Sequence, residues 1–433
     1  MRKHCSYSIS PSLKIKDALL EWSKSCSHIV WLDSNRHSDK YGSFDAVLAI
    51  SEQTDKSFKS FKNIDEIELF VDEQKDWLFG YFSYDFKNSL ENLDSENFDG
   101  LGFPEINFFQ PTKVIVLDGD KLKFSYLDAC AGEMEDDFSR LLEIADEDKK
   151  EKDDHVPVKI KMRIHKDAYF EKTQIFLDHI QKGDIYEANF CQEFYAENTN
   201  IDPFRTYKNL NSVSKPPFAS FMKLGSHFLM CASPERYLKK NGQTLISQPI
   251  KGTAPRGSNA ESDKAISETL AKDPKERAEN IMITDLVRND LSRSALKGSV
   301  KVEELCEVYT YEQVHQLVST VTAKVPEGMN PVRLIKETFP MGSMTGAPKI
   351  SAMKIIEELE ETKRGLYSGA VGYFSPNGDF DFNVVIRSIL YNAQNKYVSF
   401  SVGSAITAKS DPEKEYEECL LKAKAMRSVL EMG

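Results

Sequence analysis

The chain lacks any apolar run of roughly 18 residues, so no segment of it reads as a membrane-spanning helix. Its first ten residues, "MRKHCSYSIS", have no apolar core of the kind a secretory leader needs. Basic residues are in deficit. There are 56 Lys and Arg against 68 Asp and Glu, a net charge of −12, and no basic stripe of the kind nucleic acid requires. An acidic chain binds a small anion only through a locally basic pocket, so single Lys and Arg residues in glycine-rich or apolar settings carry the interest. Cysteines are few and scattered at 5, 26, 130, 191, 231, 306 and 419. An odd count without ligand spacing argues against a disulfide framework and points to a reducing, cytoplasmic compartment. Internal repeats and low-complexity tracts are also missing.

The length, 433 residues, suits one large domain or two to three ordinary ones. One break stands out: "ADEDKKEKDDH", residues 145–155, is almost wholly charged and reads as an exposed linker or loop tip. It separates a region 1–145 from a region 156–431. The first is of mixed helix and strand, with an aromatic strand "DWLFGYFSYDF" around Gly80. In the second, Tyr169, Phe170, Thr173, Phe176, Leu177 and Ile180 recur at helical spacing, and Gly183 is placed to stop that helix. Hairpins are expected at Gly225-Ser226, Asn241-Gly242 and Asn377-Gly378. Further helices are expected over about 262–295, 347–362 and 411–431. Hairpins interspersed with helices predict an α+β fold: a large antiparallel sheet system with helices outside it.

Five features could carry chemistry. Glu276 and Glu279, and again Glu415 and Glu418, lie three residues apart on expected helices. Residues at i and i+3 share a face, so two such helices facing one cavity would offer an oxygen-only site of the kind Mg2+ takes. The same spacing is commonest on plain solvated helices. Gly342, Ser343, Thr345 and Gly346 form a loop ahead of Pro348, which sits near a helix start. That is an anion cradle or a simple turn. Alternation in "DFDFNVVIRSIL" puts Phe380, Phe382, Val384 and Ile386 on one strand face, and Asp381, Asn383, Val385 and Arg387 on the other. Arg387 is then a carboxylate clamp or an exposed strand arginine. Glu235 follows Ser-Pro at a strand end, where partial burial would raise its pKa and suit a general acid. Lys251 in "SQPIKGTAPRG" ends a strand beside a glycine, ordinarily the place of a surface charge.

Taken together, the motifs resemble the chorismate-utilising enzymes. The stretches that carry the resemblance are "GDIYEANFCQEF", "ASPERYL", "QPIKGTAPRG", "KERAENIMITDLVRNDLSR", "VHQLVSTV", "FPMGSMTGAPK", "RGLYSGAVGYF", "VVIRS" and "DPEKEYEECLLKA". They run in family order from about residue 160 to 430, and "GYFSYD" adds a weaker match before the break. The resemblance implies antiparallel sheets in a two-subdomain sandwich, with regions 1–145 and 156–431 interleaved in one compact unit. It implies Mg2+ on Glu279 and Glu418, with Glu276 and Glu415 holding its waters, gripping the ring carboxylate of chorismate. Arg387 and Tyr367 would bind the enolpyruvyl carboxylate with the backbone around Gly403 and Ala405. Lys422, Ser343, Gly346, Thr253 and His315 would complete the substrate site. Glu235 would protonate the departing C4 hydroxyl.

Lys251 then selects the reaction. The anthranilate synthases of the family are similar here but carry alanine. A lysine giving "PIKGT" resembles the aminodeoxychorismate synthases, in which that amine attacks C2 as the C4 hydroxyl departs, and ammonia then enters at C4. Burial or neighbouring cations would lower the lysine pKa and activate it. The implied product is 4-amino-4-deoxychorismate, for para-aminobenzoate and folate, and the alternative is anthranilate, for tryptophan. Isochorismate and salicylate synthases place a water-activating lysine where this chain has Glu187, which disfavours water as the nucleophile. Many ammonia-using members have glutamine there, so Glu187 is a departure, as is Ala405. Met344 and Asn280 differ from common choices and touch no assigned role. Cys191 lacks the glycine-rich elbow of a glutaminase, so ammonia is expected from a separate glutaminase subunit.

Overall fold

A computed structural model describes residues 1–10, 14–52, 58–61, 63–147 and 156–432. Most of the charged run at 145–155 lies outside them. Two large sheets, of 12 and 10 strands, organise the chain, and every pairing between strands among the described residues is antiparallel. Helices pack around them, so the architecture is α+β. Strands from both sides of the charged run share each sheet. His28–Asp33 pairs with Phe218–Leu224 in the larger sheet, and Leu78–Phe82 with Ala370–Phe374 in the smaller.

The core has two layers, and single strands show why. Ala46–Ser51 is buried along its whole length. Val47 and Ala49 join one apolar cluster with the smaller sheet; Ala46, Leu48 and Ile50 join another on the opposite face. That second cluster takes in the apolar faces of the helices Ile15–Ser23, Lys166–Lys182 and Pro412–Met432. Alternate side chains of one strand thus serve both layers, which is why the strand reads as a continuous apolar run.

Gly183 caps the helix Lys166–Lys182 at φ 85°, as its spacing predicts. The hairpin at Gly225-Ser226 is as expected, whereas the next one turns on Gly242-Gln243, one residue later than expected. The single helix expected over 262–295 is two, Ala260–Lys272 and Pro274–Ser292. Pro274 holds Asp273 out of the helical region, at ψ 118°, and so breaks the run. Asp273 then caps the second helix by accepting from the N–H groups of Lys275 and Glu276. The last helix starts in the same way, with Asp411 accepting from Glu413 and Lys414 ahead of Pro412. Two Asp-Pro starts therefore fix the register of both helices that carry the paired glutamates.

Two neighbouring strands pass together from one sheet to the other. His227–Ser233 pairs with Ser388–Asn392 in the larger sheet, and Arg236–Asn241 with Phe380–Val384 in the smaller. The crossings at 234–235 and 385–387 run side by side. They are tied by Val384 N–H to the Glu235 carbonyl, 3.0 Å, and Ala232 N–H to the Arg387 carbonyl, 3.1 Å. The strand alternation expected through Ile386 and Arg387 is therefore wrong beyond Val384. Arg387 sits at φ 51°, a left-handed conformation outside the regular strand region. Asp381 faces elsewhere, paired with Arg236 at 3.0 Å.

Candidate active site

Both crossings open onto a cavity of about 680 Å³. Its walls are the strand Ile250–Pro255, the strand Tyr397–Thr407, the short turn Gly342–Met344 and the helices Pro274–Ser292 and Pro412–Met432. Of the residues singled out from the sequence, Glu235, Lys251, Thr253, Glu276, Glu279, Ser343, Tyr367, Arg387, Gly403, Ala405, Glu415, Glu418 and Lys422 all line it. Two do not. His315 is buried beneath the sheet, with its ring nitrogens on Asp263 and Thr310, each at 2.9 Å. Gly346 bridges to Ala188, and a Cβ there would sit 2.1 Å from the Glu187 carbonyl. Its glycine serves close strand contact and not a ligand. The helix start after it also stays clear of the cavity: Pro348 is the cap residue outside Lys349–Leu359.

Glu235 is buried at the first crossing, and Ser343 Oγ donates to its Oε1 at 2.6 Å. Burial raises its pKa to about 7, against the opposing pull of Ser343 and Lys251. A carboxyl that is half protonated near neutrality fits a general acid. Arg387, at the second crossing, makes no side-chain hydrogen bond or ion pair among the described residues, and burial lowers its pKa. A half-buried fork of donors that opens onto the cavity without an acceptor is a ready partner for a ligand carboxylate.

Lys251 lies in the wall with Nζ 3.5 Å from Glu187 Oε1. Burial alone would lower its pKa, but Glu187, Glu279, Glu418 and Glu235 together raise it. The expectation of a lowered value is thus overturned, because carboxylates and not cations surround this amine. Two residues set aside as neutral also matter. Asn280 Nδ2 donates to the Lys251 carbonyl at 3.1 Å and to the Leu317 carbonyl at 3.0 Å, pinning the strand that carries the lysine. Met344 lines the cavity beside Ser343. Gly252 stands at φ 93°, and a Cβ there would come within 3.1 Å of Glu276 Oε2, so glycine lets strand and helix approach.

The glutamate pairs face the cavity from both helices. Glu279 is raised to about 7 by burial, and its Oε1 is buried without a hydrogen-bond partner. Burial also raises Glu276. Glu418 is held low: burial pushes it up, but Lys422 at 2.6 Å more than offsets that. Lys422 also donates to the Gly403 carbonyl at 2.8 Å, so it braces the wall. Ser404 Oγ donates to Glu415 Oε2. Sequence reasoning missed Lys275, whose Nζ lies 3.5 Å from Glu415 Oε1 and 3.9 Å from Glu279 Oε1. Its place four residues before Glu279 was the available signal. Among the described residues, no three His, Cys, Asp or Glu side chains converge enough to hold a metal alone. The donor set fits a hard cation that keeps several waters and takes one or two carboxylates, as Mg2+ does. The orphaned Glu279 oxygen is the best-placed ligand.

All seven cysteines are free, and Cys191 is buried mid-strand in Glu187–Ala196. No helix among the described residues is long and apolar enough to cross a membrane.

A family model described as chorismate binding enzyme matches residues 27–428. The chain is 37% identical over 361 residues to the anthranilate synthase component 1 of Thermus thermophilus, covering 82% of this chain and 77% of that one. It is 43% identical over 275 residues to the aminodeoxychorismate synthase of Streptomyces griseus, covering 63% of this chain but only 37% of that longer protein. Its fold superposes on the crystal structure of anthranilate synthase component I from Streptococcus pneumoniae with a TM-score of 0.74 at 27% identity, covering 98% of this chain and 92% of that one. The chain belongs to the chorismate-binding enzymes.

Proposed function

We propose that the protein aminates chorismate at C4 with ammonia to give 4-amino-4-deoxychorismate. The observation that carries this reading is Lys251, an amine set in the cavity wall and facing the general-acid candidate Glu235. Lys251 as free amine bonds to C2, the two ring double bonds shift, and the C4–O bond breaks. Glu235 gives its proton to the departing hydroxide, which leaves as water. Ammonia then bonds to C4, the double bonds shift back, the C2–N bond breaks, and Lys251 is released. The C4 ammonium returns one proton to Glu235. Atoms balance as chorismate plus ammonia to product plus water.

Arg387 and Tyr367 would hold the enolpyruvyl carboxylate. Glu279 and Glu418 would hold Mg2+, with Glu276 and Glu415 on its waters. When bound, the ion would supply positive charge against the ring carboxylate. Ammonia would come from a separate glutaminase subunit, with the reaction serving folate synthesis in the cytoplasm. The alternative, anthranilate formation, is favoured by the extent of the match to the Thermus protein. Incubation with chorismate, Mg2+ and ammonium salt, followed by product mass analysis, separates them. A 4-amino product that keeps its pyruvyl group supports the proposal, and fluorescent anthranilate overturns it.

A further inference from the structure

Lys251 is surrounded by acids, yet it must be uncharged to attack. Four carboxyl groups face it: Glu187 from the strand Glu187–Ala196, Glu279 and Glu418 from the two helices, and Glu235 from the crossing. Three of them have other work. Glu279 and Glu418 are the cation ligands of the reading above. Glu235 is held by Ser343 and carries the proton for the leaving hydroxyl. Glu187 alone has no partner besides the lysine. Its Oε1 lies 3.5 Å from Nζ, and its Oε2 is buried with no hydrogen bond among the described residues. Its backbone is locked between two strands, opposite Thr407 on one side and Ala347 on the other. The side chain is 2% exposed, so water does not compete for the proton.

We infer that Glu187 is the proton acceptor that frees the Lys251 amine and holds that proton until the lysine is released. The inference rests on the proposed amination. One N–H bond of the ammonium breaks, its proton goes to a Glu187 oxygen, and the nitrogen lone pair bonds to C2. When the C2–N bond breaks later, the neutral amine takes the same proton back. A buried carboxyl suits this role, because burial favours its protonated form and so narrows the gap between the two partners. Burial does raise Glu187, with Lys251 opposing. The residue is thereby matched to a lysine nucleophile.

The test compares Glu187→Gln and Glu187→Asp with the intact chain, using ammonium salt as nitrogen donor. Lys251 modification by a trace amine-selective acylating reagent is read alongside, by mass, without substrate. Removing the carboxylate should leave more Lys251 uncharged, so Glu187→Gln is labelled faster near neutral pH. Its turnover should nevertheless fall by about 100-fold and recover partly as pH rises, with KM for chorismate little changed. Glu187→Asp should keep much of the activity. Turnover in Glu187→Gln equal to or above the intact chain would overturn the inference, since the glutamate would then only hold the lysine charged. Unchanged labelling would overturn it too, because the pair would not exist in solution. Full amination by Lys251→Ala would overturn the underlying reading instead, and would leave the labelling difference standing.

Discussion

Arg236 is buried and Arg387 half-buried at the cavity wall, and they use their donors differently. Arg236 bonds to Asp381 through Nε and Nη2, to Asp39 at 2.6 Å and to Gln248 at 2.5 Å. Asp381 is held low in return: burial pushes it up, but Arg236 and Lys239 outweigh that. Every charge there has its partner, and the cluster ties the strand Arg236–Asn241 to its neighbour. Arg387, just beyond the same end of that strand pair, makes no side-chain hydrogen bond or ion pair among the described residues. The cavity it lines also holds Glu279, and Glu187 sits against Lys251 in the wall, each with a buried oxygen that makes no hydrogen bond among the described residues. Buried polar groups are ordinarily satisfied, so a cluster of unsatisfied ones marks the place where something else binds. One cluster is closed and structural; the other is open and chemical.

The contrast can be broken most forcefully at Arg236. Arg236→Met leaves the half-buried Asp381 and Asp39 with half their partners gone, and should cost about 3 kcal/mol in denaturant unfolding. Arg387→Met should leave unfolding within about 1 kcal/mol, because no side-chain hydrogen bond or ion pair among the described residues is lost. Its effect should appear in KM for chorismate, a rise of roughly 10- to 100-fold for one charged hydrogen bond. If the two variants behave alike, the distinction between clusters fails.

Glu235 sharpens the same point through pH. Its folded pKa of about 7 lies above the ordinary glutamate value of 4.5. The folded chain therefore binds the proton more tightly than the unfolded one. The stability this contributes is full below about pH 4.5 and is lost as pH rises through about 7. The difference in unfolding free energy between the intact chain and Glu235→Gln should shrink over that window and then reverse, by about 3 kcal/mol at most. Turnover should fall over the same range as the acid loses its proton, and Glu235→Gln should lose roughly 10²–10⁴-fold at all pH values. The smallest effect is expected at Asp273. Asp273→Ala removes the cap that sets the glutamate helix and should cost about 1 kcal/mol.

How far the sequence reveals these differences depends on the kind of signal. Helix cores and turn glycines are local, so Gly183 and Gly225 read correctly. Asp-Pro starts are local too, yet Pro274 was passed over inside a long periodic run, and one helix stood for two. Alternation identifies strands but not the place where a strand changes sheets, so the reading failed at Arg387, where the backbone turns left-handed. Most residues quoted as candidates do line one cavity, because spaced motifs mark where chain segments converge. His315 and Gly346 show the limit: a motif residue can serve packing beside the site. The charge on Lys251 was unreadable, since four carboxyls reach it from distant positions in the chain.

The central claim is that Lys251 bonds to the substrate. Intact-mass and peptide analysis of the chain mixed with chorismate and Mg2+, but without ammonia, tests it directly. The account predicts an adduct of chorismate less water on the peptide containing Lys251, removed when ammonium salt is added and absent from Lys251→Ala. No adduct, together with undiminished 4-amino product from Lys251→Ala, would contradict it.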